Sequence, residues 1–599
     1  MQTIYSIAVG VKHMKARTLL FVLLVAGIAA FSFTAAAQDV AREDTVIFDI
    51  DGPAGAVANY DQMNWMLPHN HRNKGLHQAV NEPLFILNYE TGEIMPWLAE
   101  SMVPNDTLDV WTLNLREGAE WSDGEAFNSE DVVFTMELLL NDETQALGGA
   151  ASMQDWVESV EAIDDHTVVF NLTRPNPRFQ LDNFSVRIWG SYNIIAEHVW
   201  RDKDPFTFKH FDLEKGWPLG TGPYVITSAN ETSWVYDLNE DWWGAKTGVF
   251  KLPEPQRAVW VVTGNDQIRT TMAVANELDS IMDVTLGAFE AMQAQNDNIF
   301  AWVEGMPFVW LDPCPRQLSF QTQVAPWDNP EMRWAINHAI SRQQVIDIAY
   351  EGVTIPSRTL YVEYGGMFPY IDAIEEAGMT FNTEADLDAA AALLEKNGYS
   401  RNDDGRWVDM DGEALSLQIQ VHEGFVEKRR ITTNLVEQLQ TFGIEASAAV
   451  IAGATWGDNK RFGNYEATTD WDACGSINEP WASLQRYTSQ WWVPVGEPNS
   501  GGNNHVRWDG ENNAAYSEIV SELGSLPLGH PDAIGMVVEA YRYLYEDLPF
   551  IPLNQATKLI PFNSTYWEGW PTSENNWNHP ATWWQSTHQF FQEITKAGM

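Results

Sequence analysis

Four sets of residues have the types and spacing to do chemistry. His69-Asn70-His71, with His77 close behind, offers imidazoles two residues apart, and imidazole is a common metal ligand. Alternating His on a loop is weak evidence by itself, so no metal and no cofactor is expected there. The stretch 422-HEGFV-426 opens like a zinc-protease helix but lacks the second His at the required interval. No GxSxG and no phosphate-cradling glycine loop is found. Cys314 and Cys474 are the only two cysteines. Neither sits in a CxxC or beside a His pair, which argues against a metal site. Two thiols exported to an oxidising compartment commonly pair, and two separate buried thiols are the alternative. The fourth set is aromatic. The chain has 28 tryptophans, whose rings stack on the apolar faces of sugars while Asn, Asp and Ser bond the hydroxyls. Trp456, Trp491 and Trp492 with Asn478, Asn503 and Asn504 fit that pattern, against the ordinary role of Trp in core packing.

Composition narrows the function classes. With 35 Lys and Arg against 83 Asp and Glu, the net charge is −48. Phosphate backbones and anionic membranes are repelled, so nucleic-acid binding is disfavoured. So many acids leave a secreted glycoside hydrolase open, since that chemistry needs two carboxylates across a cleft. The acidity is spread along the chain and reads as a solvated surface, suited to a saline habitat where self-repulsion is screened.

The N-terminus addresses the chain for export. Lys15 and Arg17 precede the apolar run 19-LLFVLLVAGIAAF-31, and 35-AAA-37 supplies small residues for cleavage before Gln38. Residues 1–37 are therefore expected to be a cleaved signal peptide, with Met14 an alternative start. No Cys lies at the cleavage site to carry a lipid anchor. The expected location is the periplasm.

The elements that must position these residues alternate between strand and helix. In 111-WTLNLR-116, Trp111, Leu113 and Leu115 share one face, as in a half-buried strand. Ser122-Asp123-Gly124-Glu125 is a turn, Asn128 or Ser129 caps a helix over 132-VVFTMELLL-140, and Glu130 and Asp131 favour its positive end. Residues 332–352 read as one helix closed by Gly352, 385–399 as a helix ended by Asn397-Gly398, and 426–451 as helix, Gly stop and strand. The fold class is α/β (mixed α+β), without repeats or a Pro/Gly/Ser-rich linker. That favours lobes joined by several crossing strands.

Several segments together resemble the family 5 extracytoplasmic solute-binding proteins of ABC importers, the oligopeptide and dipeptide type that includes oligosaccharide-binding members. They are 81-NEPLFILNYETGEIMPWLAESM-102, 115-LREGAEWSDGEAFNSEDVVFT-135, 220-GTGPYVI-226, 239-NEDWWG-244, 327-WDNPEMRWAINHAISRQQVI-346, 394-LEKNGY-399, 442-FGIEASA-448 and 548-LPFIPLN-554. Ser341 stands where an Asp is usual. The resemblance implies a two-lobed periplasmic-binding-protein type II fold with an extra small domain. It implies a binding protein with no enzymatic activity, a monomer, whose partner is a membrane permease. On this reading the first lobe takes residues 38–83, 187–265 and 510–599, the small domain 84–186 and the second lobe 266–509.

The resemblance also implies site residues. Cys314 and Cys474 fall where oligopeptide-binding members carry paired cysteines, so a disulfide is expected. The loop His69, Asn70, His71 and the loop Asp472, Cys474, Gly475, Ser476, Asn478 should touch ligand, with Trp456 lining the pocket. Trp491 and Trp492 join them on the aromatic argument above. Trp97, Trp121, Trp242 and Trp243 match structural positions and belong to the core. Peptide binders place an Asp at the position of Ser476 to pair with the peptide ammonium, and a hydroxyl cannot neutralise that charge. Asp472 or Glu479 stands near enough to substitute. The departure tilts the expected ligand from a di- or oligopeptide toward an oligosaccharide.

Overall fold

A computed structural model describes residues 40–50, 56–68, 74–188, 190–471, 474–500 and 502–598. The expected signal peptide therefore lies outside the described residues, as do His69, Asn70, His71 and Asp472. Among the described residues no helix is long and apolar enough to cross a membrane.

The first sheet has the order Thr45–Ile50, Arg257–Val262, Ser233–Leu238, Tyr224–Asn230, with the first pair parallel and the rest antiparallel. A second, wholly antiparallel sheet joins Ala99–Pro104, Val110–Leu115, Thr167–Leu172 and Val157–Asp164. Trp111, Leu113 and Leu115 are buried on one of its faces, as their alternation predicts. Beside it, Asn128 caps the helix Ser129–Leu140. Its side chain accepts from the Glu130 amide at 2.8 Å, and Asp131 Oδ2 accepts from the Asn128 amide at 3.1 Å, a reciprocal capping box. One continuous core runs through both sheets, from Phe48 and Trp260 to Leu113 and Phe170, so the small sheet and the first lobe form a single body.

The second lobe is built on five strands in the order Glu445–Ile451, Ser416–His422, Ala467–Asp470, Trp310–Phe320, Phe550–Lys558. The first three are parallel, while the last two run antiparallel to their neighbours. One face packs under the helix Val426–Thr441 through Leu417, Ile419, Ile431 and Leu435. The other packs under helices Glu511–Ser525 and Ala533–Asp547 through Tyr516, Val537 and Phe550.

This pairing moves the lobe boundaries. The helices Asp266–Val274 and Leu286–Gln293, expected in the second lobe, bury Ala273, Phe289 and Met292 against Val235, Val259 and Val261 of the first sheet. The helices of 511–547 and the strand Phe550–Lys558, expected in the first lobe, belong to the second. The chain crosses between lobes along Trp310–Phe320 and Phe550–Lys558, which pair with each other, so both must lie in one sheet.

The single helix expected over 332–352 is two helices, Pro330–Ala339 and Arg342–Ala349. Ser341 breaks it: its Oγ accepts from the Gln344 amide at 3.1 Å and donates to Glu384 at 2.8 Å. An Asp at this position could also cap the second helix, but it could not donate to Glu384, so the serine suits its neighbour here. The remaining helices agree with expectation, at Leu387–Lys396 and Val426–Thr441, each followed by a left-handed glycine, Gly398 and Gly443.

Candidate functional site

The three parallel strands of the second lobe end at His422, Ile451 and Asp470. Open sheets bind ligands beyond the carboxyl ends of such strands, because the side chains there are carried on loops over a rigid edge. Three aromatic rings gather at this edge. Phe425 and Trp471 meet edge to face at 4.5 Å, and Trp456 lies 5.6 Å from the His422 ring. All three aromatics are half-buried, so each keeps part of its ring exposed. Trp456 is fixed by its indole N–H, which donates to Thr468 Oγ1 at 3.0 Å.

Beneath the rings lies a cation. Lys428, in the first turn of the helix Val426–Thr441, is wholly buried, with Nζ 2.9 Å from the Trp471 ring centroid and 4.6 Å from that of Phe425. It pairs with Asp470 at 3.3 Å, and Lys460 contacts the other oxygen of the same carboxylate. Burial pulls the Lys428 ammonium down to about 7, and the neighbouring Arg316 and Lys460 add to that effect. Burial works the other way on Asp470, but Lys460 and Lys428 outweigh it and hold the carboxyl well below its usual range. The carboxylate is therefore the fixed charge, and Lys428 is the member whose charge changes near neutral pH.

The floor continues along the crossing strands. Arg316 bonds Glu427 at 2.6 Å, and Tyr350 donates to the same carboxylate at 3.1 Å. Lys558 reaches Asp283 of the first lobe at 3.4 Å and Asp312 at 3.6 Å. Four acids, Asp283, Asp312, Glu427 and Asp470, thus face four bases, Arg316, Lys428, Lys460 and Lys558, and each acid is already paired. Opposite charges at such distances cancel over a few ångströms, leaving an aromatic wall above a locally neutral, polar floor.

The expected site residues divide. Cys314 and Cys474 form the disulfide, with Cα atoms 4.3 Å apart, and it ties the loop after Asp470 to the first crossing strand. Trp456 belongs to the aromatic wall. Ser476 is wholly buried and its hydroxyl is spent within its own loop, donating to the Pro480 carbonyl at 2.8 Å and accepting from the Ser483 amide at 3.0 Å. Gly475 gives its carbonyl to Arg187 at 3.1 Å. Asn478 is half-buried at the rim, packed so close to Gly366 that a Cβ on that glycine would lie 3.1 Å from the Asn478 Cα. Glu479 bonds Arg178 at 3.2 Å and is not free to receive a ligand ammonium.

Trp491 and Trp492 are not brought to the wall. Trp491 lies in a short turn beside the helix Glu511–Ser525 and donates to the Gln485 carbonyl at 3.1 Å. Asn504 is buried, with both ends of its amide bonded to the Trp508 backbone. Trp97, Trp121, Trp242 and Trp243 are core residues, as expected. Among the described residues no group of three His, Cys, Asp or Glu side chains is placed to hold a metal. The sequence reading missed Phe425, Glu427, Lys428, Asp470 and Trp471. Their signal was position, immediately after strands that end at a common edge.

Residues 93–493 match the family described as bacterial extracellular solute-binding proteins, family 5 Middle. The chain belongs to this family. The dipeptide-binding protein of Escherichia coli (strain K12) is 25% identical to this family 5 chain over 348 residues, 54% of this chain and 59% of that one. The nickel-binding periplasmic protein of the same organism is 25% identical over 375 residues, 60% of this chain and 63% of that one. The match thus spans less than two thirds of each of these relatives. Among solved structures, the periplasmic oligopeptide-binding protein of an oligopeptide ABC transporter from Thermotoga maritima superposes with a TM-score of 0.79 at 22% identity. It covers 93% of this chain and 100% of that one. Its mannohexaose-bound form gives a TM-score of 0.72 at 22% identity, covering 94% and 100%. These likenesses place the family 5 chain in the two-lobed periplasmic-binding-protein fold.

Proposed function

We propose that this chain is the solute-binding component of an oligopeptide-type ABC importer, exported to the periplasm, which captures its ligand by lobe closure and hands it to a membrane permease. The ligand is an oligosaccharide. The observation that carries this reading is the wall of Phe425, Trp456 and Trp471 over four acids already matched by four bases. A peptide brings an ammonium and a carboxylate, and burying either without a partner is costly. A neutral sugar brings ring faces for the indoles and hydroxyls for the paired charges. Further ligand contacts are assigned to His69, Asn70, His71 and Asp472, with Cys474, Gly475 and Asn478 at the rim. The mannohexaose-bound relative supports the same choice.

A di- or oligopeptide is the second reading, favoured by the dipeptide-binding relative. A thermal-shift panel separates the two, since a ligand that binds only the folded state raises its melting point by mass action. Oligosaccharides should raise it and di- to pentapeptides should not. The reverse pattern would replace this reading with the peptide one. Intact sugar recovered after incubation is expected; cleavage products would make the chain a hydrolase instead.

A further inference from the structure

The loop Cys474–Pro480 does more than border the ligand space: it plugs into the other lobe. Ile477 is 1% exposed and belongs to the core cluster that runs through the first lobe and the small sheet and also takes in Val362 and Tyr364 of its own lobe. Two arginines of the first body hold the loop on either side. Arg178 bonds Glu479 through both nitrogens, Nε to Oε1 at 3.2 Å and Nη2 to Oε2 at 3.3 Å, and its Nη1 donates to the Gly524 carbonyl at 2.9 Å and the Leu526 carbonyl at 3.3 Å. Its guanidinium also lies 4.8 Å from the Trp481 ring centroid. The two side chains are 4% and 9% exposed. Arg187 donates to the Gly475 carbonyl and pairs with Asp182.

We infer that Arg178 and Glu479 are a closure latch: positioning residues that set ligand affinity without touching the ligand. When the lobes separate, Ile477 leaves the first body's core, Glu479 loses its bidentate partner, and the two carbonyls of 524 and 526 lose their donor. Every one of these bonds exists only with the lobes together, and the loop that makes them is tied by Cys474 to the crossing strand beside the aromatic wall. Ligand affinity scales with the fraction of molecules in the closed, binding-competent form, so loss of the latch raises the apparent dissociation constant by the factor by which that fraction falls. Glu479 thus serves the lobe contact rather than the ligand.

The test is small-angle scattering from the whole, ligand-free protein, comparing wild type with Arg178→Glu and the exchange Arg178→Glu/Glu479→Arg. The latch holds a larger closed fraction in wild type, so its radius of gyration should lie nearer the ~25 Å of a compact chain of this length than that of the variant. Arg178→Glu places two carboxylates together and should expand it, and the exchange should bring it back. Circular dichroism checks that each variant is folded, and Arg178→Lys, which keeps the charge but not the two-pronged bond, should fall between. A radius that is the same in wild type and Arg178→Glu, or an exchange variant that stays as expanded as the single one, would overturn the latch.

Discussion

The ammonium of Lys428 sits 2.9 Å from the centroid of the Trp471 ring, wholly enclosed beneath it. A cation against an indole face is attracted by the ring quadrupole, and more so once desolvated. The pair therefore fixes the ring that forms the centre of the wall. Trp471→Ala should weaken oligosaccharide binding about tenfold, roughly 1.4 kcal/mol, with a smaller effect on melting because the ring is half-buried. Titration calorimetry reads the first and a melting curve the second.

Removing the cation is a different experiment. Lys428→Met leaves Asp470 buried with Lys460 as its base. Truncating one member of a buried pair costs on the order of 3–5 kcal/mol when nothing compensates. With Lys460 in place, the loss should stay at or below about 3 kcal/mol. Denaturant unfolding of Lys428→Met against the Lys428→Met/Asp470→Asn double variant checks this: removing the acid as well should recover part of the loss.

Glu82 gives a pH prediction. Its carboxylate is buried with no ion pair among the described residues, accepting from the indole N–H of Trp97 at 2.9 Å and of Trp243 at 2.8 Å. Burial pushes its pKa up to about 7, with the indole bonds pulling weakly the other way. A raised folded pKa means that the native state holds the proton more tightly than the unfolded chain. The stability it contributes is complete below about 4.5 and is lost as pH rises through 7. Glu82→Gln keeps the neutral form at every pH, so its stability relative to wild type should improve by about 2.5 kcal/mol between pH 5 and pH 8. Paired melting curves read the difference, which cancels the opposite trend of the buried, neutral His210, His579 and His588.

The disulfide closes a loop of sequence separation 160. Replacing both Cys314 and Cys474 with Ser should cost about 2–5 kcal/mol, seen as a lower denaturant midpoint that reducing agent no longer shifts.

Ser476→Ala should act on stability rather than on ligand. The Ser483 amide loses its acceptor in a fully buried loop, at about 1–3 kcal/mol. A melting point below wild type with unchanged affinity per folded molecule is the expected result, and calorimetry on the folded fraction supplies the second number.

What was legible in the sequence was local. The alternation Trp111, Leu113, Leu115, a cap at Asn128 or Ser129 and the glycine stops at Gly398 and Gly443 are decided within a few residues, and the structure has them, with Asn128 as the cap. The break at Ser341 was equally local but hidden, because the apolar spacing on both sides continues through it. The lobe boundaries were not legible. They depend on Arg316 facing Asn554 across the crossing strands, a pairing that no local pattern encodes. The site shows the same division. Trp456 was found through family resemblance, whereas Lys428 and Asp470 meet only because two parallel strands end side by side. Trp491 satisfied the aromatic pattern but its turn lies beside the helix Glu511–Ser525.

The central claim, a neutral sugar held on an aromatic wall over balanced charge, is tested most directly by isothermal titration of wild type and Trp471→Ala with mannohexaose and with a tetrapeptide. Saturable binding of the sugar to wild type, weakened about tenfold in Trp471→Ala, with no heat from the peptide, is the predicted result. Saturable binding of the tetrapeptide with none of the sugar would contradict it.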